Sequence, residues 1–541
     1  MSEGETWCYV VSEADDPTAA TITNARRFDF DIDVGPKDVP ESVKKPFEYF
    51  ELFITDELLN RWANETEKYA KDFIDENKDK LPENSRVHSW DWENLSMDDK
   101  VGEIKAYVAL TILMGLVKKP SIEDYWDKTH FSVSTPAFGE VMSLKRYQLL
   151  SKFFHISDNK AAPAKDSDNY DPLFKVAGFI EHLNEKYINY YVPSRDVAVD
   201  ESLVGFKGRH RVIQYMPNKH HHQWGPKMWV GAETSSGYTF KFDFYRGSVD
   251  KPSEKGLTYD VVMRMMAPLL GKGYHCVMDN YYTSPDVCTS LYEQQTASTG
   301  TIRQTRRGFP QELKEAKPNR GEVVYMRYGS LLAAKWRDKR EVCFLSTTAL
   351  ASSKTVKRSR RDEEVTIPEV VDLYNKGMGG VDLADQKIDN YSGERATLKC
   401  WKKITFHLLD RTLLNAYILY VQHTTDIKIL SHKSFIIQCM ENWLLPQKTK
   451  NENKAVMPRG RALVKGQSVA LNSEGLKHVD SWHFQMPIPP REDVNDVSKQ
   501  CQQCAKSKIR KRTKYHCGYC PEKPGLCPGA CFRSYHMAKK Q

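Results

Sequence analysis

Six cysteines and a histidine near the end of the chain are the residues whose spacing most directly predicts chemistry. Two C-x2-C pairs and one C-x3-C pair precede a histidine: Cys501, Cys504, Cys517, Cys520, Cys527, Cys531 and His536. The six are half of the twelve cysteines in the 541-residue chain. Thiolates two residues apart can bind one metal ion, and repeated pairs are typical of zinc sites. The spacing therefore predicts a small module folded around Zn²⁺.

Positive charge is concentrated in the same segment. Residues 501–541 hold ten Lys or Arg and one acidic residue, a net charge of +9, whereas the whole chain carries +8. Such a basic module beside a near-neutral body indicates a protein directed to DNA. The side chains predicted to contact phosphates here are Lys506, Lys508, Arg510 and Arg512.

A second set of reactive residues consists of aspartates on predicted strands and on one predicted helix. Asp200 ends the predicted strand DVAVDE, and Asp279 ends the predicted strand YHCVMD. Asp382 and Asp385, three residues apart, share one face of a helix. Converging carboxylates repel one another unless cations offset their charge, and oxygen ligands favour Mg²⁺ or Mn²⁺. The set predicts a two-metal site for in-line phosphoryl displacement, with ions about 3.5–4 Å apart.

Taken singly, a strand-end aspartate is more often a turn former or a helix cap than a catalytic group. The catalytic interpretation therefore depends on a fold that joins these positions. Hydrophobic patterns between residues 196 and 304 predict the order β-β-β-α-β-α-β. That order is typical of a ribonuclease H-like α/β core, in which the strands ending at Asp200 and Asp279 are neighbours.

Other features limit the class of protein. The amino terminus is acidic and lacks the basic and apolar regions of a signal peptide, and the longest apolar run, 106–116, is too short to cross a bilayer. We therefore expect no membrane association. Basic clusters at 357–361 and 506–514 are candidate nuclear import signals, although the first can equally be a solvated loop. A nuclear location is the resulting prediction.

Five segments together resemble those of piggyBac-type DNA transposases. They are DESLVGFKGRHR at 200–211, QWGPKMWV at 223–230, VMDNYYTS at 277–284, GGVDLADQ at 379–386 and the cysteine cluster. The resemblance implies a DDE/D-type phosphoryl-transfer enzyme with catalytic Asp200, Asp279 and Asp382, accompanied by Asp385. It implies a cut-and-paste reaction: metal-dependent nicking, hairpin formation and strand transfer into TTAA sites. The implied partners are terminal inverted repeats and target sites in double-stranded DNA and a second copy of the chain.

The resemblance also implies a multidomain α/β architecture with a ribonuclease H-like core. Composition predicts a short, acidic, poorly ordered lead at 1–40 and a flexible linker at 446–500. The resemblance implies a split helical dimerisation and DNA-binding domain at 41–195 and 393–445, the catalytic core at 196–304 and 368–392, a β-rich insertion at 305–367 and a cross-brace zinc domain at 501–536.

A cross-brace domain with two zinc ions needs an eighth ligand beyond the six cysteines and His536. The resemblance implies His483, which lies upstream in HFQMP. His478 and His516 are the alternatives.

Basic and aromatic residues near the aspartates carry further predictions. Lys207, Arg209 and Arg211 follow the first catalytic strand and are predicted to contact the scissile phosphates, the alternative being a solvated hairpin. Tyr281 and Tyr282 either stack on an unpaired base or lie in the core. Trp224 and Trp229 are predicted to be core residues.

Two rival functions remain beside an active transposase. One is a domesticated, transposase-derived nuclear DNA-binding protein without excision activity. The other interprets the tail as a RING- or PHD-like module of a ubiquitin ligase or chromatin reader. The order C-x2-C, C-x2-C, C-x3-C and His disfavours this last interpretation.

Overall fold

The computed structural model describes residues 6–12, 28–217, 222–247, 251–358, 363–393, 397–425, 428–456, 485–489, 497–518 and 520–538. The chain divides into two compact units, Met1–Pro458 and Arg459–Gln541. Among the described residues, no helix is both long and apolar enough to cross a membrane.

The larger unit contains fourteen strands in its described ranges. They are β1 (Cys8–Val10), β2 (Gly35–Pro36), β3 (Tyr191–Val192), β4 (Asp196–Leu203), β5 (Ile213–Tyr215), β6 (Trp224–Glu233), β7 (Thr239–Phe244), β8 (His275–Met278), β9 (Ala297–Ile302), β10 (Val323–Tyr328), β11 (Leu331–Arg337), β12 (Glu341–Ser346), β13 (Ser353–Arg358) and β14 (Glu363–Pro368).

The α-helices of this unit surround the sheet and form a separate helical layer. They are α1 (Pro46–Glu51), α2 (Asp56–Asn77), α3 (Met97–Leu116), α4 (Pro136–Val141), α5 (Leu144–Phe153), α6 (Phe174–Tyr190), α7 (Leu257–Met266), α8 (Pro285–Glu293), α9 (Gln311–Glu315), α10 (Glu369–Gly377), α11 (Gly380–Asp389), α12 (Cys400–His423) and α13 (His432–Val456).

The central sheet has the predicted ribonuclease H-like core. Strand β4 pairs antiparallel with β6, which pairs antiparallel with β7, while β4, β8 and β9 are parallel neighbours. Helix α7 links β7 to β8, and α8 links β8 to β9, so the order β-β-β-α-β-α-β is confirmed. Parallel neighbours need such crossovers because the chain leaves one strand at one edge of the sheet and must enter the next strand at the opposite edge.

Several predicted helices begin at hydroxyl caps that their sequences already contain. Thr55, Ser96 and Ser284 accept hydrogen bonds from backbone N–H groups in the first turns of α2, α3 and α8, at 3.4, 3.2 and 3.3 Å. Such caps are worth about 1 kcal/mol each, because they satisfy a donor that the helix itself leaves unpaired. Helix α12 is buried along most of its length, between α1, α6 and α11.

Part of the predicted insertion extends the central sheet. Strand β12 pairs with β9, and β11, β10 and β1 follow as antiparallel neighbours. The remaining strands, β13 and β14, form a separate hairpin. Pairing with β12 covers the edge of β9 that a five-stranded core would leave open, and an open edge exposes unpaired backbone groups.

The acidic lead at 1–40 is partly structured, against expectation. Val10 on β1 is buried against the sheet, and Phe30 packs edge-on against Tyr274 with ring centroids 4.9 Å apart. Gly35 and Pro36 pair with β3. Few apolar residues anchor this segment, and each contacts a partner far along the chain, so local pattern does not predict the contacts.

The stretch predicted to start a flexible linker at 446 is helical to Val456. Polar contacts hold this part of α13 on the helical layer: Lys448 pairs with Glu140 at 3.1 Å and Lys450 with Asp99 at 2.6 Å. The amide of Asn451 also donates to the backbone oxygen of Val141. The boundary at 446 was wrong because a polar helix held by distant partners has no hydrophobic periodicity.

Candidate active site and zinc centre

Asp200 and Asp279 lie on adjacent parallel strands of the central sheet. The register pairs Val199 of β4 with Met278 of β8, and each aspartate is the next residue along its strand. The predicted neighbourhood of the two carboxylates is therefore present. It follows from the parallel pairing, which brings the carboxyl ends of β4 and β8 to one edge of the sheet.

The Asp279 carboxyl group is partly withdrawn from water. Burial raises the pKa of Asp279, and the charge of Glu201 raises it further, while backbone hydrogen bonds and Lys227 oppose the shift. Its Oδ1 accepts from the N–H groups of Tyr281 and Tyr282 at 2.8 and 3.4 Å. Asp279 thus forms a turn, as a strand-end aspartate commonly does, and also presents a destabilised negative charge that a cation would stabilise.

The two aspartates of α11 lie in different surroundings. Asp382 is in the first turn and exposed. The Oδ1 atom of Asp385 accepts from Ser202 Oγ at 2.9 Å and from Arg411 Nη2 at 2.7 Å. The Arg411 side chain is fully buried, and its Nη1 donates to Thr239 at 3.0 Å. Asp385 therefore fastens α11 to β4 and α12.

The charges of the three other aspartates all affect the phenol of Tyr374 on α10. Burial raises its pKa, and the charges of Asp279, Asp200 and Asp382 raise it further. The pairing of β4 with β8 brings Asp200 and Asp279 close together, and Asp382 lies in the first turn of α11, which packs against β4.

The aspartate site does not form a single three-carboxylate cage. Within the described part of the chain, the groups of three or more His, Cys, Asp or Glu whose ligand atoms lie within 4.8 Å of one another all belong to the zinc module. A pair of ions about 3.5–4 Å apart is held by carboxylates on different sides, so such a cage is not required. The all-oxygen donor set suits Mg²⁺ or Mn²⁺.

Sequence reasoning missed three residues of this site. Glu201 accepts from the Tyr282 hydroxyl at 3.0 Å and perturbs Asp279, although strand alternation places it opposite Asp200. Its position beside Asp200 in the DES motif was an available signal. Tyr374 and Arg411 have no local signal, because their roles depend on contacts between elements.

The basic residues after β4 lie in the 204–212 loop. Lys207, Arg209 and Arg211 are all exposed, and the Arg211 guanidinium lies 5.1 Å from the ring centroid of Tyr170. Two other arginines hold the turn after Asp279. Arg306 donates to the backbone oxygens of residues 280 and 281, and Arg303 donates to Asn280 Oδ1 at 3.0 Å.

The aromatic predictions have mixed outcomes. Trp229 is buried, as predicted, whereas Trp224 is half exposed and the core assignment was wrong for it. Tyr282 is fully buried, so the core alternative holds for that residue. Tyr281 is half-buried, with Lys227 Nζ 4.4 Å from its ring centroid.

Three cavities form a lysine-lined groove between the sheet and the helical layer. We call them the Lys118 cavity (440 Å³), the Trp224 cavity (1110 Å³) and the Lys402 cavity (460 Å³), and all three are lined by Lys403. The Lys118 and Trp224 cavities also share Gly205. The lysines lining the groove are Lys118, Lys119, Lys152, Lys207, Lys399, Lys402 and Lys403.

Lys402 is buried in this groove and forms no ion pair with a carboxylate in the described part of the chain. Burial lowers the pKa of Lys402 to about 7, and the positive charges of Lys399 and Lys175 add to the effect. Its Nζ donates to the backbone oxygen of Ser151 and lies 5.5 Å from the Trp401 ring centroid. A positive charge at this position therefore opposes folding unless an anion compensates it.

We expect Lys402→Met to raise the stability of the anion-free protein. The folded pKa lies below that of the unfolded chain, so the cost is complete below pH about 7 and shrinks as pH rises toward about 10.5. The cost is a few kcal/mol, since one pH unit between two pKa values is worth about 1.4 kcal/mol. Thermal unfolding across this range should show a gain that narrows at high pH. Exposed Lys80→Met is the control, and a gain independent of pH would contradict the expectation.

The smaller unit contains the predicted cross-brace metal module. Its elements are β15 (Gln485–Pro487), β16 (Lys499–Gln500), α14 (Gln502–Lys506), β17 (Arg512–Thr513), β18 (Tyr515–Cys517) and α15 (Ala530–Ala538). One ligand group is Cys501, Cys504, Cys527 and Cys531, and the other is Cys517, Cys520 and His536. The two groups alternate along the chain, which defines a cross-brace.

The geometry of both groups suits thiolate and imidazole coordination. Cys504 Sγ and Cys531 Sγ are 3.6 Å apart, and Cys520 Sγ is 3.4 Å from His536 Nε2. The Nδ1 atom of His536 hydrogen-bonds to the backbone oxygen of Phe532 at 2.8 Å, which leaves Nε2 as the ligand atom. Although burial opposes it, backbone N–H donors lower the pKa of Cys501 to about 7. Such a donor set is typical of Zn²⁺.

Two of the three candidates for an eighth zinc ligand lie outside the described residues. His483 and His478 lie beyond the described residues, so the prediction of His483 stays a prediction. His516, the other alternative, is absent from both described ligand groups, and its Nδ1 hydrogen-bonds to the backbone oxygen of Cys517 at 3.0 Å. Strand β15 pairs Gln485 with Cys517, which belongs to the three-ligand group. Gln485 is two residues after His483 in the sequence.

The fold and the site define a class: a ribonuclease H-like sheet with Asp200 on β4 and Asp279 directly after the neighbouring parallel strand β8, in a chain that also contains a cross-brace cysteine–histidine module. Comparison with known families agrees. The chain belongs to the Transposase IS4 family, whose model matches residues 45–417. A model described as a DDE_Tnp_1-like zinc finger matches residues 491–537, which assigns the tail to transposases rather than to RING or PHD modules.

Known relatives carry the piggyBac name. PiggyBac transposable element-derived protein 3 of Homo sapiens is 23% identical over 499 residues, covering 90% of this chain and 75% of the relative. Human PiggyBac transposable element-derived protein 2 is 23% identical over 404 residues, covering 71% and 63%. A cryo-EM structure of the piggyBac transposase synaptic complex with hairpin DNA matches with a TM-score of 0.67 at 21% identity. That match covers 92% of this chain and 98% of the other.

Proposed function

We propose that this protein is a cut-and-paste DNA transposase. It nicks transposon ends, forms and opens hairpins, and joins the freed ends to TTAA targets. The observation that supports the proposal best is the placement of Asp200 and Asp279 directly after Val199 and Met278, which are paired residues of the parallel strands β4 and β8. Each step is a phosphoryl transfer, which one carboxylate site can serve because the chemistry depends on positioning and charge.

The aspartates have distinct roles in this proposal. Asp200, Asp279 and Asp382 would hold two Mg²⁺ or Mn²⁺ ions, and these would supply the positive charge that phosphoryl transfer needs at the attacking and leaving oxygens. Burial of Asp279 increases the benefit of a bound cation. Asp385 keeps α11 against β4 through Ser202 and Arg411, and so positions Asp382.

DNA contacts are proposed at two surfaces. In the larger unit, the lysine-lined groove begins beside β4, and the exposed Lys207, Arg209 and Arg211 lie in the loop that follows this strand. In the zinc module, residues 505–512 form an exposed basic stretch that would read the terminal repeats. We further propose that the active form is a homodimer and that it acts in the nucleus, where its DNA substrate is located.

A second candidate is a domesticated DNA-binding protein without excision activity. The names of the human relatives, which describe proteins derived from a transposable element, favour it. The presence of all four aspartates in this chain favours the active enzyme.

Excision in cells separates the two candidates. A reporter gene would be interrupted by DNA carrying the sequences that flank the gene of this protein, and the chain would be expressed beside it. Restoration of the reporter with a single TTAA at the junction would establish the transposase. Binding of the same flanks without excision would support the domesticated alternative, and excision that leaves other junctions would contradict TTAA targeting.

Salt dependence tests the contacts of the zinc module. We expect Lys508→Gln to lower the slope of log affinity against log salt by about one, because each phosphate contact releases about one counterion. Glutamine is chosen because Lys508 has φ +58°, where shortening the side chain to Ala adds a backbone effect. Arg512 is less suitable, since it donates to the backbone oxygen of Ser498 at 2.6 Å. The flanking duplex would be titrated in full-length protein.

The matched control for this measurement is Lys80→Gln, the same change at an exposed lysine in an acidic part of the helical domain. Its slope should equal that of the unaltered protein. An unchanged slope for Lys508→Gln as well would show that this side chain faces away from DNA.

A further inference from the structure

An exposed aromatic pair lies at the mouth of the Trp224 cavity. Tyr215 ends β5, Trp224 begins β6, and the register pairs them directly. Their ring centroids are 4.7 Å apart with planes inclined by 34°. The residues remain 52% and 51% exposed. Large aromatic side chains exposed together in this way commonly mark a binding surface.

The backbone holds this pair rigidly beside the segment that follows Asp200. The N–H of Phe206 donates to the backbone oxygen of Trp224 at 2.9 Å, and the N–H of Val204 donates to the backbone oxygen of Pro226 at 3.1 Å. Gly225 packs so closely against Val204 that a Cβ added to Gly225 would lie 1.8 Å from the backbone oxygen of Val204. The aromatic pair is therefore fixed relative to the catalytic strand.

The walls of the Trp224 cavity combine apolar and positive groups. Trp224, Phe206 and Leu398 supply the apolar surface, and Leu398 is 94% exposed. Lys207 and Lys403 supply positive charge on the same cavity. A partner that fits must present a flat apolar face together with negative charge. An unpaired nucleotide has both, in its base and its phosphate, whereas paired bases inside a duplex offer no free face for stacking.

We infer that the Tyr215–Trp224 pair is a stacking platform for an unpaired base of the DNA, with Lys207 and Lys403 holding the adjacent phosphates. The inference rests on the proposed function, because hairpin formation and end joining leave unpaired nucleotides near the cut. The platform keeps such a base out of the duplex. Trp224 lies six residues along β6 from Val230, the partner of Asp200, so the stacked base is about 20 Å from that aspartate and a few nucleotides from the cut. Stacking accepts every base, since each has a π face.

Binding measurements test the platform without requiring catalysis. The probes are two DNAs with the sequence that flanks the gene, one fully paired and one with a short single-stranded extension. We expect Trp224→Ala to weaken binding of the extended DNA by about 5- to 100-fold, the equivalent of losing one stacked base. Binding of the paired DNA should change less than about twofold. Trp224→Phe should retain most of the difference, because it keeps an aromatic face.

Phe131→Ala is the matched control, since Phe131 is also strongly exposed and lies outside the described groove lining. Equal loss for both DNAs in Trp224→Ala, or no loss for the extended one, would overturn the inference. A protein partner or second copy on this surface would be revealed by a change in oligomeric state without a change in DNA preference. Excision by the unaltered protein with no effect of Trp224→Ala would overturn the platform alone. Selective loss of binding to the extended DNA in Trp224→Ala, together with no excision by the unaltered protein, would support the platform and contradict the proposed function.

Discussion

Asp279→Asn is expected to abolish DNA cleavage while leaving the fold intact. Asparagine has the same shape, and its amide oxygen can still accept from the N–H groups of Tyr281 and Tyr282. It removes the charge that a cation would bind. We expect Mg²⁺-dependent nicking of the flanking DNA to fall at least about a thousandfold, equivalent to ~4 kcal/mol in the activation barrier. Nicking would be measured with purified full-length protein.

The same variant has a second readout that does not depend on activity. Burial and Glu201 raise the pKa of Asp279, so its charged form opposes folding near neutral pH when no cation is present. Asp279→Asn should therefore unfold at an equal or higher temperature than the unaltered protein without divalent cations. Added Mg²⁺ or Mn²⁺ should stabilise the unaltered protein and have a smaller effect on the variant.

Asp286→Asn is the matched control, because Asp286 is exposed on the neighbouring helix α8. It should retain both nicking and the response to Mg²⁺. If Asp279→Asn nicks DNA at a comparable rate in Mg²⁺, the carboxylate assignment is wrong. If it fails to fold, the isosteric argument is wrong instead, and the melting curve separates these outcomes.

Removal of zinc is expected to unfold the C-terminal module and nothing else. The hydrophobic core of the module is small, comprising Leu526, Tyr535, two ligand cysteines and the partly buried Phe532. A core of this size cannot hold a fold without metal, whereas a structural zinc ion contributes about 10–16 kcal/mol. Hydrogen exchange after chelation should show lost protection across 497–538 and unchanged protection in β4 and β8. Binding to flanking DNA should weaken in parallel.

Single substitutions refine this experiment. Cys504→Ser should lower the bound zinc from two ions per chain to about one, because Cys504 belongs to the four-cysteine group alone. Cys8→Ser is the control, since Cys8 is an exposed thiol in the other unit. Loss of far-UV circular dichroism across the whole chain after chelation would refute an independent module. Full DNA binding by the metal-free protein would refute its role in recognition.

The parts of the fold that follow from local pattern were predicted well. Strand β4 alternates polar and apolar residues, β8 is a short buried run, and both crossover helices are amphipathic, α8 beginning at the Ser284 cap. Once their order indicated a ribonuclease H-like sheet, the proximity of Asp200 and Asp279 followed from strand adjacency. The cysteine spacing likewise predicted a metal module, because a C-x2-C pair is a local geometric unit.

Contacts between distant segments were beyond such reasoning. Three features depend on partners far along the chain: the polar end of α13, the edge strand β1 and the extension of the sheet by β10–β12. The local hydrophobic pattern of each segment does not identify its distant partner. The division of the zinc ligands is similar: spacing indicates pairs, but folding assigns Cys527 to the first group and His536 to the second.

Residue types, their spacing and the order of elements were enough to indicate a metal-dependent DNA-processing protein with a zinc-folded tail. These properties depend on short stretches of sequence. The spacing of metal ligands and the order of strands can therefore be interpreted without knowing how distant segments pack. The Arg411 contact with Asp385, the packing of α11 against β4 and the exposure of Trp224 came from packing alone. Each depends on which faces of two elements, distant in the sequence, pack against each other. That packing is determined by burial and electrostatic interactions across the whole fold.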